Sequence, residues 1–270
     1  MPELPEVETV RRSLAPFLTG ATIAAVEVRE PRLRRPVAAD FASTLTGRTI
    51  VGIARRGKYL HLHLDDTRVW LVHLGMTGQL VVEDTKEAFL PHDHILVLLS
   101  TGRRLRYNDP RRFGLMAVGT GNEIATLTEL GVEPLSRAFT SRYLWGKVRL
   151  TRRTIKDVLM DQRVVAGIGN IYASELLFRA GVRPSCIAVT LSKLRTERIV
   201  KATKAVLREA IRHRGSSISD YRDGEGKQGG FQNRFRVYDR EGEPCPGCRT
   251  PIRRETRGGR STFFCPTCQR

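Results

Sequence analysis

Four of the five cysteines fall into two pairs, Cys245-x2-Cys248 and Cys265-x2-Cys268, with sixteen residues between the pairs. That spacing lets two thiolate pairs converge on one tetrahedral ion. The end of the chain therefore reads as a small module built round a single structural zinc rather than round an apolar core. Two disulfides are the alternative, and a reducing compartment argues against them. The first residues, MPELPEVETVRR, put acids where a secretion signal would carry bases, and they lack an apolar stretch, so the cytoplasm is the expected compartment. Cys186 stands alone and is expected to be a buried small apolar residue rather than a nucleophile.

Lys and Arg number 46 against 28 Asp and Glu, a net charge of +18 in 270 residues. Such an excess repels itself and is tolerated where a polyanion neutralises it, which makes nucleic acid the expected partner. An anionic membrane surface is the rival. However, no apolar run approaches the ~20 residues of a span, and no basic amphipathic segment with a heavily apolar face stands out. The tail from Pro244 to Arg270 holds six Arg and one Glu, and a zinc module this basic suits phosphates.

The pattern along the chain predicts an α+β protein. Residues 5–18 have helical spacing, with Pro5 in the first turn, Glu6 and Glu8 favourable to the helix dipole, and an apolar stripe of Val7, Val10, Leu14 and Phe17. Alternation over 59–64 and 69–74 round an Asp-Asp-Thr turn predicts strands, and 95–99 with 104–107 round Gly102 predicts a second hairpin. An antiparallel β-sandwich is expected for the first half. From about Glu133 the spacing turns helical, over 154–160, 170–180 and 192–213, between turns at Gly167, Gly169 and Gly181. The chain thus divides into three ranges: 1–132, 133–222 and 223–270. The stretch from Gly215 to Gln232 looks too polar to pack and too long for a plain connector, which leaves a mobile functional loop or a linker.

Pro2 is the residue with the most unusual chemistry. Removal of Met1 would leave a secondary α-amine, and α-amines titrate near 7.7–8.0, so a useful fraction is nucleophilic at neutral pH. With Met1 attached the same nitrogen is an amide and inert. Glu3 and Glu6 flank that amine and suit proton transfer during attack on a sugar, although alone they read as helix-start acids. Lys58 follows a glycine turn just before a strand, where a solvated lysine is the plainer reading.

Taken in order, MPELPEVETVRR, GKYL, HLGMTG, HDH, NDPRRFG, GIGNIYASE and the two CxxC pairs resemble the formamidopyrimidine-DNA glycosylase family of bacterial enzymes, from Pro2 to Cys268. The resemblance implies an N-terminal β-sandwich, a helix-two-turn-helix domain and a zinc finger, with DNA between the halves. It implies Pro2 as the Schiff-base nucleophile, Glu3 as the acid that helps open the deoxyribose, Lys58 as a proton donor, Arg260 as a donor for the second strand cut, and Glu6 as a residue that maintains the site. Met76, Arg111 and Phe113 correspond to the wedge that fills the place of an extruded base, a step costing a few kcal/mol. Phosphate contacts are implied for His92, Arg111, Asn170 and Arg260. For Asn170 there is also a local reason, since Gly-Ile-Gly-Asn opening a helix exposes N–H groups to an anion. Arg152 stands at a DNA-contacting position where relatives carry lysine.

The activity that the resemblance implies is that of a bifunctional glycosylase and abasic-site lyase acting on oxidised purines in duplex DNA. Such a protein is expected to be monomeric and nucleoid-associated, with one structural zinc and no membrane partner. Two other readings stay open: an endonuclease VIII type enzyme for oxidised pyrimidines, and a noncatalytic zinc-ribbon DNA-binding protein. The second leaves Pro2, Glu3 and Lys58 unexplained.

Overall fold

The computed structural model describes residues 2–120, 124, 129–218 and 221–270. Met1, on whose removal the amine chemistry depends, lies outside the described residues, as do positions 219 and 220 of the polar stretch. The chain forms two compact units that do not follow chain order. Met1–Thr128 with His213–Gly230 is one, and Glu129–Arg212 with Phe231–Arg270 is the other. The expected ranges 133–222 and 223–270 each therefore straddle both units.

The first unit opens with α1 (Leu4–Leu18). Glu3 is its N-cap, and a capping box with Glu6 satisfies the end of the helix from both sides. Val7, Val10, Leu14 and Leu18 line the buried face. Behind them stand two four-stranded antiparallel sheets. One orders β1 (Ile23–Val28), β6 (Asp93–Leu99), β7 (Arg103–Asn108) and β5 (Gln79–Asp84). The other orders β2 (Ile50–Arg56), β3 (Tyr59–Leu64), β4 (Val69–His73) and β8 (Leu115–Gly119). This is the β-sandwich expected from the alternation. Leu60, Leu62 and Leu64 of β3 point inward with Ile95, Val97 and Leu99 of β6, while the intervening His61 and His63 face away. Trp70 is fully buried and meets Phe41 of the short helix α2 (Phe41–Leu45) edge-on at 6.0 Å. Each such side chain contributes about 1.5–3 kcal/mol on burial.

The second unit contains α3 (Ser141–Val148), α4 (Ile155–Met160), α5 (Asn170–Ala180) and α6 (Lys193–Arg212), followed by a hairpin of β9 (Arg253–Arg257) and β10 (Arg260–Phe264). Thr140 and Thr154 cap α3 and α4 through their hydroxyls, and α5 ends at Gly181 in the left-handed conformation (φ 65°). Helices α5 and α6 pack on each other, and α5 also packs on β10. Among the described residues no helix is long and apolar enough to cross a membrane.

Two expectations need correction. The stretch after Gly215 is not too polar to pack: Ser216, Tyr221, Asp223 and Gly224 are buried, and Tyr221 joins the core of the first unit. Its buried polar groups meet partners, while Arg222, Glu225, Lys227 and Gln228 stay exposed. Gly224 N–H donates to Ser13 Oγ at 2.8 Å, and Asp223 accepts from the backbone of Glu225 and Lys227. Cys186 is half-buried rather than buried, its sulfur 3.7 Å from the Thr190 hydroxyl.

Candidate functional site

In the first unit the start of α1 is held by one carboxylate. Glu6, only 2% exposed, accepts the Glu3 N–H on Oε2 at 2.9 Å and the Ser216 N–H and hydroxyl on Oε1 at 2.7 and 3.0 Å. The Tyr221 hydroxyl donates to the Glu6 carbonyl at 3.2 Å. Pro2 and Glu3, both buried, are thus fixed at the head of the helix by a segment more than two hundred residues away in sequence. Ser216 and Tyr221 were not singled out from the sequence.

Lys58 sits in the turn between β2 and β3 and is buried. Arg55 anchors that turn to α1, donating from Nε to Glu8 at 3.1 Å and from Nη1 to the Gly57 carbonyl at 3.0 Å. Burial pushes the Glu8 carboxyl up, but hydrogen bonds from Arg11 and Arg12 and the charges of Arg11 and Arg55 outweigh it and hold it at about 2. Glu8 therefore stays charged and keeps its grip at any working pH.

The Lys58 charge also reaches His73, whose pKa is pulled down to about 4, chiefly by burial and then by that lysine. Its Nδ1 accepts the Gly75 N–H at 3.1 Å, so a neutral ring steers the connection that carries Met76. An unfolded His titrates near 6.5. Between 6.5 and 4 the unfolded chain takes up a proton that the folded one refuses, so stability is full above this window. It falls by about 3 kcal/mol as pH drops through it. An NMR titration of the His73 ring should give a midpoint near 4, and a midpoint above 6 would contradict the assignment.

The wedge candidates come together on two adjoining tips. Met76 is 40% exposed on the β4–β5 connection, and Phe113 is 44% exposed on the β7–β8 connection. The exposed Arg111 lays its guanidinium over the Phe113 ring at 4.6 Å. Gly75 (φ 64°) is where the tips meet, since a Cβ there would lie 2.4 Å from the Phe113 carbonyl carbon. His92 is exposed on its own loop in the left-handed conformation (φ 70°).

The second unit gathers Asn170, Arg260 and Lys156. Asn170 opens α5 and donates from Nδ2 to the Ser261 carbonyl at 2.9 Å. Buried Lys156 donates to the same carbonyl at 3.1 Å and to Thr262 Oγ1 at 2.8 Å. The starts of two helices thus grip the strand on which the exposed Arg260 stands. Lys156, Arg257 and Arg260 line one small cavity with Thr154 and Thr262. Arg152 is exposed on the loop before α4. Lys156 was missed from the sequence, where one lysine among many basic residues carries no signal. Glu175 was missed too: it is buried on α5 and accepts the N–H groups of Arg236, Val237 and Tyr238 at 2.9–3.0 Å, tying the zinc module to the helix.

The four cysteine sulfurs lie within 4.8 Å of one another, with Cys245 and Cys268 at 3.8 Å and Cys248 and Cys265 at 3.4 Å. Thiolates about 2.3 Å from one ion at the corners of a tetrahedron stand about 3.8 Å apart, so the cluster fits a single zinc. Gly247 and Cys268 N–H groups point at the Cys245 and Cys265 sulfurs at 3.4 Å, as thiolates require. Four sulfurs leave no open position on the ion, so the zinc is structural.

Comparison with known proteins places each of these parts. Residues 1–116 match the formamidopyrimidine-DNA glycosylase N-terminal domain, 130–222 its H2TH domain, and 242–270 the zinc finger found in FPG and IleRS. A formamidopyrimidine-DNA glycosylase of Azorhizobium caulinodans is 46% identical over 293 residues, covering 100% of both chains. The crystal structure of the MutM (Fpg) protein of Thermus thermophilus superposes with a TM-score of 0.90 at 42% identity, covering 99% of this chain and 98% of that one. Lactococcus lactis Fpg in complex with a Fapy-dG containing DNA superposes at 0.91 with 34% identity, covering 99% of each. A match along the whole length, in sequence and in backbone, makes the chain a member of the formamidopyrimidine-DNA glycosylase family.

Proposed function

We infer that this chain excises oxidised purines, 8-oxoguanine and formamidopyrimidines, from duplex DNA in base excision repair, with Pro2 as nucleophile once Met1 is gone. The observation that carries this reading is the hold of Glu6 on Glu3 and Ser216, which fixes the head of α1 where a free terminal amine would be presented. Met76, Arg111 and Phe113 enter the stack as the damaged base leaves it. The Pro2 nitrogen bonds to C1′, the base departs with a proton, and Glu3 assists as the sugar ring opens to an iminium. That cation acidifies the C2′ proton. Its loss breaks the C3′–O bond, and a second elimination breaks the C5′–O bond, leaving a one-nucleotide gap with phosphate at both ends. Lys58 supplies a proton during these transfers, and Arg260 serves the second cut. His92, Arg111, Asn170, Arg152 and Arg260 contact phosphates. The enzyme works as a monomer in the cytoplasm, on nucleoid DNA.

The test is borohydride reduction of the methionine-processed protein on an 8-oxoguanine duplex and on a thymine-glycol duplex, with peptide mapping of the adduct and Glu3→Gln as control. The expected result is a covalent complex at Pro2 on the purine lesion, with Glu3→Gln lowering base release by about 100-fold or more. Preference for thymine glycol would move the substrate to oxidised pyrimidines, and tight binding with neither adduct nor released base would remove the catalytic reading.

A further inference from the structure

The two tips that carry Met76, Arg111 and Phe113 hang from one side chain that the mechanism above does not use. Asp109 is 0% exposed, and its carboxylate accepts from three neutral groups. The Thr77 hydroxyl donates to Oδ1 at 2.6 Å, the Tyr107 hydroxyl to Oδ2 at 2.9 Å, and the Gly114 N–H to Oδ2 at 2.8 Å. Thr77 passes the grip on, accepting the Arg111 N–H on its own oxygen at 3.3 Å. One carboxylate therefore bridges the β4–β5 connection, which bears Met76, and the β7–β8 connection, which bears Arg111 and Phe113.

Its backbone completes the hub. The Asp109 carbonyl accepts the Arg112 N–H at 3.1 Å and lies 2.8 Å from His94 Nε2, while its N–H donates to the His92 carbonyl at 3.1 Å. Position 114 must be glycine, since a Cβ would stand 1.7 Å from the Tyr107 hydroxyl that Asp109 receives. A buried carboxylate survives only where its oxygens are well hydrogen-bonded, and bonds to a charged acceptor are about twice as strong as neutral ones. Such bonds suit a part that must hold its shape under load.

We propose that Asp109 is a positioning residue for base extrusion: through Thr77, Tyr107 and Gly114 it keeps the two tips in register while their side chains replace the departing base. It touches no substrate. The inference rests on the functional reading above and narrows it, because the load arises only when a stacked base is driven out, a cost of a few kcal/mol. At an abasic site there is no base to unstack, so strand cleavage there should be largely independent of Asp109.

Single-turnover base release from an 8-oxoguanine duplex and strand cleavage at a preformed abasic site in the same sequence separate the two steps. Asp109→Asn keeps the volume but turns an amide N–H against a donor. It should lower base release by about 10- to 100-fold and abasic-site cleavage by less than about threefold. Fluorescence of 2-aminopurine beside the lesion should show slowed insertion by the same factor. Thr77→Val and Tyr107→Phe each remove a single donor, and they should show the same split, more weakly, even if Asp109→Asn does not fold. Equal loss on both substrates in a variant with unchanged Tm, or wild-type rates on both in all three, would overturn this inference alone. A wild-type protein that releases no 8-oxoguanine would overturn the functional reading and this inference with it.

Discussion

The chain purified with Met1 still attached should release no measurable 8-oxoguanine and leave no borohydride adduct, and treatment with a methionine aminopeptidase should restore both; this is the largest effect expected. In the unprocessed chain the Pro2 nitrogen is part of a tertiary amide, its lone pair delocalised into the carbonyl. In the processed chain it is a secondary amine whose lone pair is free to attack whenever it is unprotonated. Loss of a covalent nucleophile costs at least ~10³-fold in turnover. DNA affinity and Tm should change little, because neither the arginines proposed to meet phosphates nor the Glu6 hold on Ser216 involves the Pro2 nitrogen. A Met1-bearing protein that excised the base at the processed rate would exclude Pro2 as the nucleophile.

Removal of zinc, by chelation or by Cys245→Ser, should come next in size. Among the described residues the buried apolar cluster at this end is Val237, Cys245, Ile252, Phe263 and Cys265, with Phe178, Tyr238, Cys248 and Cys268 packed against it; four of these nine are metal ligands, and a two-stranded hairpin is marginal by itself. Metal binding supplies about 10–16 kcal/mol to such modules, so residues 242–270 should lose their fold with the ion. Arg260 then loses the strand that Lys156 and Asn170 hold in place. Base release should fall by about 100-fold or more. The slope of log affinity against log salt should shrink by about one for each phosphate that the tail no longer neutralises. Far-UV dichroism and anisotropy of a labelled duplex at several salt concentrations would read both. A metal-free protein that kept the full slope would show that the tail arginines do not meet phosphates.

Much of the fold was legible because it rests on repeating signals. Alternation over 59–64 reveals a half-buried strand, since every second residue must face the core, and the structure has that strand at Tyr59–Leu64. The helix from 170 to 180 was marked by glycines at both ends, and the cysteine spacing reported its own geometry. The illegible part is polar and solitary. Ser216 looked like part of a solvated loop because polarity reports a side chain's need for a partner, not where the partner is, and Glu6 lies 210 positions away. Asp109, His73, Lys156 and Glu175 sit inside otherwise readable stretches, yet each acts through side-chain hydrogen bonds that leave no trace in the residue pattern, most of them to residues distant along the chain. No periodicity marks such a bond.

The return of His213–Gly230 to the first unit makes that unit a two-piece object. A fragment ending at Thr128 would expose the socket that Tyr221 fills and leave the Glu6 carboxylate without Ser216. Expressed alone it should be insoluble or molten. A synthetic peptide of residues 213–230 should rescue it by complementation, with an affinity that falls when Glu6 is neutralised. For anyone seeking to transplant the sandwich, or to split the enzyme into a reporter pair, that short return is the piece that has to travel with it.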